Sequence, residues 1–95
     1  MLAAQAFATT YYVDYTNGSN NNNGTSESTP WKTHPYMQKS SACTGTGSAP
    51  SYTHKAGDQF IFKGGVTWPN ACFQLDITSG GTSSAHDTYT VDQTW

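Results

Sequence analysis

From Gly57 onward the chain consists of short β-branched and aromatic runs punctuated by paired glycines, and no other feature constrains its fold as strongly. Gly57-Asp58 turns into Gln59-Phe60-Ile61-Phe62-Lys63, Gly64-Gly65 ends that run, Cys72-Phe73-Gln74-Leu75-Asp76-Ile77 follows, and Gly80-Gly81 precedes Thr88-Tyr89-Thr90-Val91-Asp92. Alternation sends Phe73, Leu75 and Ile77 to one face and Cys72, Gln74 and Asp76 to the other, and it separates Tyr89 and Val91 from Thr88, Thr90 and Asp92 in the same way. Each run therefore reads as a half-buried strand. Strand starts about 13 to 16 residues apart leave more chain than tight hairpins use, which suits coils joined by loops.

Composition agrees with an all-β reading. Of 95 residues 35% are hydrophobic and 14% aromatic, so the apolar supply sits in Phe, Tyr and Trp rather than in aliphatic runs that could build a helical core. The remainder is rich in Thr, Ser, Asn and Gly, which supply turns and neutral hydrogen-bonding surface. There are four lysines, no arginine and a formal charge of -2. That balance gives no electrostatic footprint for phosphate backbones or anionic lipid, so nucleic acid is excluded as a partner, and no stretch is apolar for long enough to span a membrane.

The N-terminal half is less regular. Residues 1–8 are apolar and contain Ala4-Gln5-Ala6 and Ala6-Phe7-Ala8, small-x-small patterns that fit the remnant of a secretory signal peptide or an apolar N-terminal strand. Thr9 to Asp14 reads as a strand running into a polar loop from Asn17 to Thr29. Ser28-Thr29-Pro30 is a helix-start signal that Pro35 interrupts, so short helical turns between Pro30 and Ser41 are expected, followed by a Gly- and Ser-rich loop over residues 42–51. Cys43 and Cys72 have no zinc-like spacing. A disulfide between them is expected for a secreted chain, whereas two buried thiols would suit a cytosolic one.

Several residues are candidates for chemistry. Asp14, Asn17, Ser19, Asn21 and Asn23 carry oxygens suited to calcium, and Ser19-x-Asn21-x-Asn23-Gly24 has the spacing of half a calcium loop, without its leading Asp or closing Glu. Asn17-Gly18-Ser19 and Asn23-Gly24-Thr25 both match the glycosylation pattern. Sugars stack on exposed aromatic faces, and Tyr15 and Trp68, each beside a turn, are the candidates for carbohydrate contact. Asp76 and Asp92 sit on the polar sides of their strands and do not make a credible acid-base pair, so no catalytic residue is assigned. His34, His54 and His86 are scattered over different loops.

Tyr11-Tyr12-Val13-Asp14, Asn17-Gly18-Ser19, Asn23-Gly24-Thr25 and Thr29-Pro30-Trp31-Lys32-Thr33 together resemble the opening of secreted right-handed parallel β-helix proteins of the pectate-lyase-like superfamily. Ala56-Gly57-Asp58-Gln59-Phe60-Ile61-Phe62-Lys63-Gly64-Gly65 is similar to the first coil strand of those proteins, with Ala56 where Pro is common. The likeness covers residues 9–95. It implies a mainly β chain in which residues 9–56 form an N-terminal strand, polar loop and short helical cap, and residues 57–95 form a first coil that continues beyond the chain. In that family function comes from later coils, so the resemblance implies part of an extracellular protein that binds or processes polysaccharide, a lyase or glycoside hydrolase in its complete form. Because a solenoid repeat cannot bury its own apolar face, the same residues also fit a structural subunit of an extracellular fibre or oligomer that self-associates through open β-edges.

Overall fold

The structure, a computed structural model, describes residues 8–37, 43, 49–72, 77 and 79–95. It is mainly β. Strand β1 (Thr10–Val13), β2 (Gln59–Lys63) and β5 (Thr88–Asp92) form one sheet in the order β1-β2-β5, while β3 (Gly81–Thr82) and β4 (Ala85–His86) make a small antiparallel hairpin just before β5.

Both pairings in the larger sheet are parallel, and the register is continuous across it. Tyr11, Phe60 and Tyr89 stand level with one another, as do Val13, Phe62 and Val91 two residues on. Strand pleating sends these two rows to the same face. The first row is a column of rings: Trp31 lies on Tyr11 at 4.5 Å, Tyr11 follows Phe60 at 5.7 Å, and Phe60 follows Tyr89 at 4.8 Å, all stacked. Tyr52 packs edge-on against Tyr11 and Phe60, and His34 lies 4.2 Å from Phe60. Few aliphatic residues are needed because each buried ring removes so much surface from water.

The outer edge of β1 is covered by the polar loop. Tyr12 N donates to Gly24 O at 2.7 Å, Trp31 N to Tyr12 O at 2.9 Å and Asp14 N to Trp31 O at 2.8 Å, with Val13 and Trp31 forming a parallel bridge. Gly24 is required here. Its φ is +75°, and a Cβ would fall 2.6 Å from the Trp31 indole. At the other edge, β5 has no second partner strand among the described residues, and Val91 is 63% exposed.

Two aspartates fix the sheet's entry corner. Asp58 and Asp87 each precede a strand, and the pairing of Gln59 with Thr88 sets them level. Each carboxylate reaches back to the preceding strand's entry: Asp58 Oδ1 accepts from Thr9 N at 2.8 Å, and Asp87 Oδ1 from Gly57 N at 2.9 Å. Asp58 is fully buried, and its second oxygen accepts from Tyr52 OH at 2.6 Å and Lys55 N at 3.0 Å. Burial of so polar a group is sustained because its oxygens are occupied.

Cys43 and Cys72 are disulfide-bonded, and with Met37 they make a second cluster against Tyr15, Phe62 and Trp68. Of the strand expected over Cys72–Ile77, only the two end residues are described. Cys72 closes a 3-10 turn, Asn70–Cys72, and is buried rather than on a polar strand face, because its sulfur is drawn to Cys43. Ile77 is 47% exposed instead of core-facing, and the intervening Phe73 to Asp76 lie outside the described residues. In the span from Pro30 to Ser41, where short helical turns are expected, residues 31–37 hold no helix: Trp31 is held by β1, and Pro35-Tyr36 is a turn whose Met37 N donates to His34 O at 3.0 Å. Cys43 itself is helical, whereas the rest of the expected helical piece and following loop, residues 38–42 and 44–48, and the apolar lead over residues 1–7, lie outside the described residues.

Candidate functional site

The polar loop places the five candidate calcium ligands in a chain of local turns. Asp14 Oδ1 accepts from Thr16 N and Asn17 N at 3.0 and 3.2 Å, and its other oxygen faces the Lys63 ammonium at 3.5 Å. Ser19 Oγ accepts from Asn21 N at 3.2 Å, and Asn23 Oδ1 accepts from Thr25 N, Thr25 Oγ1 and Thr29 Oγ1 at 2.9 to 3.0 Å. The oxygens of Asp14, Ser19 and Asn23 serve the loop's own conformation. That is a poor start for an ion that takes about six to eight oxygen ligands. No group of three or more His, Cys, Asp or Glu side chains suited to a metal occurs among the described residues. The sequon residues Asn17 and Asn23 are both exposed.

Tyr15 and Trp68, expected as separate sugar platforms, pack on each other with ring centres 5.0 Å apart. Trp68 also meets Phe62 at 6.1 Å, and the Lys32 ammonium sits 4.1 Å over the Tyr15 ring while donating to Tyr15 O at 2.6 Å. Their faces are thus largely used in covering the disulfide cluster. Beside them an apolar groove of about 330 Å³, lined by Met37, Phe62, Val66, Trp68 and Val91, opens near the free edge of β5.

Asp92 accepts from Thr94 Oγ1 at 2.7 Å and Thr94 N at 2.9 Å, and these bonds, the hydroxyl's first, hold its carboxyl below the usual range. Asp76 lies outside the described residues. The three histidines do different things: His34 is buried in the aromatic core, His54 Nε2 is 2.6 Å from Asp87 Oδ2, and His86 is exposed at the end of β4.

Sequence reasoning missed a polar pocket of about 500 Å³ between the Asn-rich loop and the segment entering β2. Asn21, Asn23 and Thr25 line one side, Ser51, Thr53 and Lys55 the other, and Tyr11 and Tyr52 contribute rings. Its size is ordinary for a small-molecule site. Tyr52 is fixed there by its bond to Asp58, and burial followed by that carboxylate pushes its hydroxyl well above the usual phenol range. Sequence offered a faint signal in the alternation Ser51-Tyr52-Thr53-His54, small hydroxyls between rings, but the loop it faces is about thirty residues away.

No family model matches this chain, and no curated protein matches it. Among the described residues no helix is long and apolar enough to cross a membrane.

Proposed function

We propose that this chain is the N-terminal part of an extracellular right-handed parallel β-helix protein that binds or processes polysaccharide, with no complete active site in these residues. One observation carries the reading: three parallel strands in continuous register repeat the same pattern on one face, ring then apolar residue, with an aspartate at each of the last two entries. That is how successive turns of a solenoid stack, each turn burying its apolar face against the next. The Asn-rich loop over β1 then serves as the terminal cap. A disulfide fits an oxidising compartment, and a neutral pocket lined by amides, hydroxyls and rings fits a sugar better than a phosphate or a lipid.

The alternative, a structural subunit that self-associates, draws on the uncovered edge of β5 and the exposed Val91. The two readings part in affinity electrophoresis of the purified chain through gels carrying neutral, carboxylated or sulfated polysaccharides. Retardation by at least one of them is expected, without release of reducing or unsaturated ends. Unchanged mobility across the panel would overturn the polysaccharide reading.

A further inference from the structure

We propose that the pocket between the Asn-rich loop and residues 51–55 is a subsite for a sugar ring bearing one anionic substituent, with the Lys55 ammonium as the partner of that anion. The proposal rests on the polysaccharide reading and gives it a location and a chemical class.

The lysines point to the charge. Of the three lysines among the described residues, Lys32 is spent on Tyr15 O and the Tyr15 ring, and Lys63 faces Asp14. Lys55 lines the pocket and its ammonium has no ion pair among the described residues; only its backbone N–H is engaged, by Asp58. A cation left uncommitted beside a concave surface is available to a ligand, and its loss should leave the fold intact.

Both walls are built before any ligand arrives. Asn23 Oδ1 gathers its three bonds from Thr25 and Thr29, Asn22 Nδ2 donates to Pro30 O at 2.9 Å, and Trp31 Nε1 donates to Asn22 O at 3.0 Å. Opposite, the Tyr52 hydroxyl is held by Asp58 at 2.6 Å while its ring packs edge-on to Tyr11 at 5.3 Å. Preorganised walls spare a ligand the cost of ordering loops. What they present is mixed: amides of Asn21 and Asn23, hydroxyls of Ser51, Thr53 and Thr25, and phenol rings. A pyranose offers the matching mixture of C–H face and hydroxyl rim, whereas a purely apolar ligand would strand the amides. The anionic substituent can be a carboxylate or a sulfate, since an ammonium binds either as a point charge.

The experiment titrates the ¹⁵N-labelled 95-residue chain with a uronic acid trisaccharide, its methyl ester and a sulfated disaccharide, for wild type, Lys55→Gln and Thr53→Trp. Amide shifts confined to residues 21–25 and 51–55 are expected, with the ester binding roughly three- to tenfold more weakly than the acid. Lys55→Gln should bind acid and ester alike at the ester's affinity, and Thr53→Trp, at an exposed position, should weaken both by filling the pocket. Tighter binding of acid or of sulfated sugar identifies the substituent. If ligands bind with shifts at Tyr15 and Trp68, or if Lys55→Gln binds the acid as wild type does, the subsite is wrong and the polysaccharide reading stands. If none of the three ligands binds the wild-type chain, the subsite is wrong, and the polysaccharide reading falls with it only where mobility is also unchanged across the polysaccharide panel.

Discussion

Lowering the pH from 7 to 5 should destabilise this fold by about 2 kcal/mol through one residue, His34. Its side chain is buried among Phe60, Tyr89, Tyr36 and Phe62, with ring centres 4.2 to 6.2 Å away. Its Nδ1 accepts from Tyr36 N at 3.0 Å, so the neutral ring carries its proton on Nε2, which has no partner among the described residues. Burial pushes the imidazole down from 6.5 to about 3. A depressed base means that the unfolded chain takes up a proton which the folded chain refuses. The stabilising contribution is therefore complete above about pH 6.5, falls by about 1.4 kcal/mol for each unit below it, and stops falling near pH 3. Two kcal/mol is a substantial share of the roughly 5 to 15 that holds a domain together, and it corresponds to a drop in Tm of about 8 to 16 °C for a chain of this size. Thermal melts followed by near-ultraviolet circular dichroism between pH 7.5 and 4.5 measure it. His34→Asn keeps an acceptor for Tyr36 N and cannot be protonated. The variant starts less stable because it leaves a void, but its Tm should fall less steeply over the same range. Equal slopes for wild type and variant, or a flat wild-type profile, would refute the reasoning.

Three further outcomes are expected. Reducing Cys43–Cys72, which closes a loop of 29 residues, should cost about 3 to 4 kcal/mol in urea unfolding, and an unchanged midpoint would sink the claim. Phe60→Ala should cost about 3 to 5 kcal/mol and Thr90→Ala, on the exposed side of β5, less than about 0.5; similar costs would mean that the ring column is not the core. Light scattering over a concentration series should show self-association of the isolated chain through β5 that Val91→Lys suppresses, stopping at small oligomers because the outer edge of β1 is already hydrogen-bonded; a monodisperse wild-type monomer throughout, or long fibres, would contradict this.

Strands β2 and β5 are legible because their signals are local, an aromatic and β-branched run between glycines for β2 and alternation for β5: the face expected for Tyr89 and Val91 is the one they share with Phe60 and Phe62. Cys72-Phe73-Gln74-Leu75-Asp76-Ile77 alternates just as well, yet Cys72 belongs to a turn. Period-two reasoning weighs side chains against water, and it does not register a covalent bond to a residue 29 positions away. The corner aspartates failed for a related reason. In the sequence Asp58 looks like an ordinary turn residue and Asp87 like a loop residue, because their defining partners, Thr9 and Gly57, lie 49 and 30 residues off. The pocket was hidden by the same distance. Its two walls are separately unremarkable polar segments, and only the pairing of β1 with β2 brings them together.

The Asn-rich loop connects closure of the sheet to binding. A parallel sheet ends in a row of unpaired backbone groups, and something has to satisfy them. Here Gly24 and Trp31 do so on β1, and the left-handed turn at Gly24 allows the Trp31 indole to lie flat against it and onto Tyr11. The loop is therefore held to the core by the Trp31 indole and to β1 by the bond from Tyr12 N to Gly24 O, and its residues Asn21, Asn23 and Thr25 line the pocket. Ligand bound there would grip the cap and the segment entering β2 at once. It would then stabilise the closed end of the sheet by RT ln(1 + [L]/Kd), about 2.7 kcal/mol at a hundredfold excess over Kd, while leaving the free edge of β5 unchanged. The same stretch from Asn17 to Thr29 thus closes β1 through Gly24 and lines the pocket through its neighbours Asn23 and Thr25, so a substitution at Gly24 should disturb the closed edge of the sheet and the pocket together.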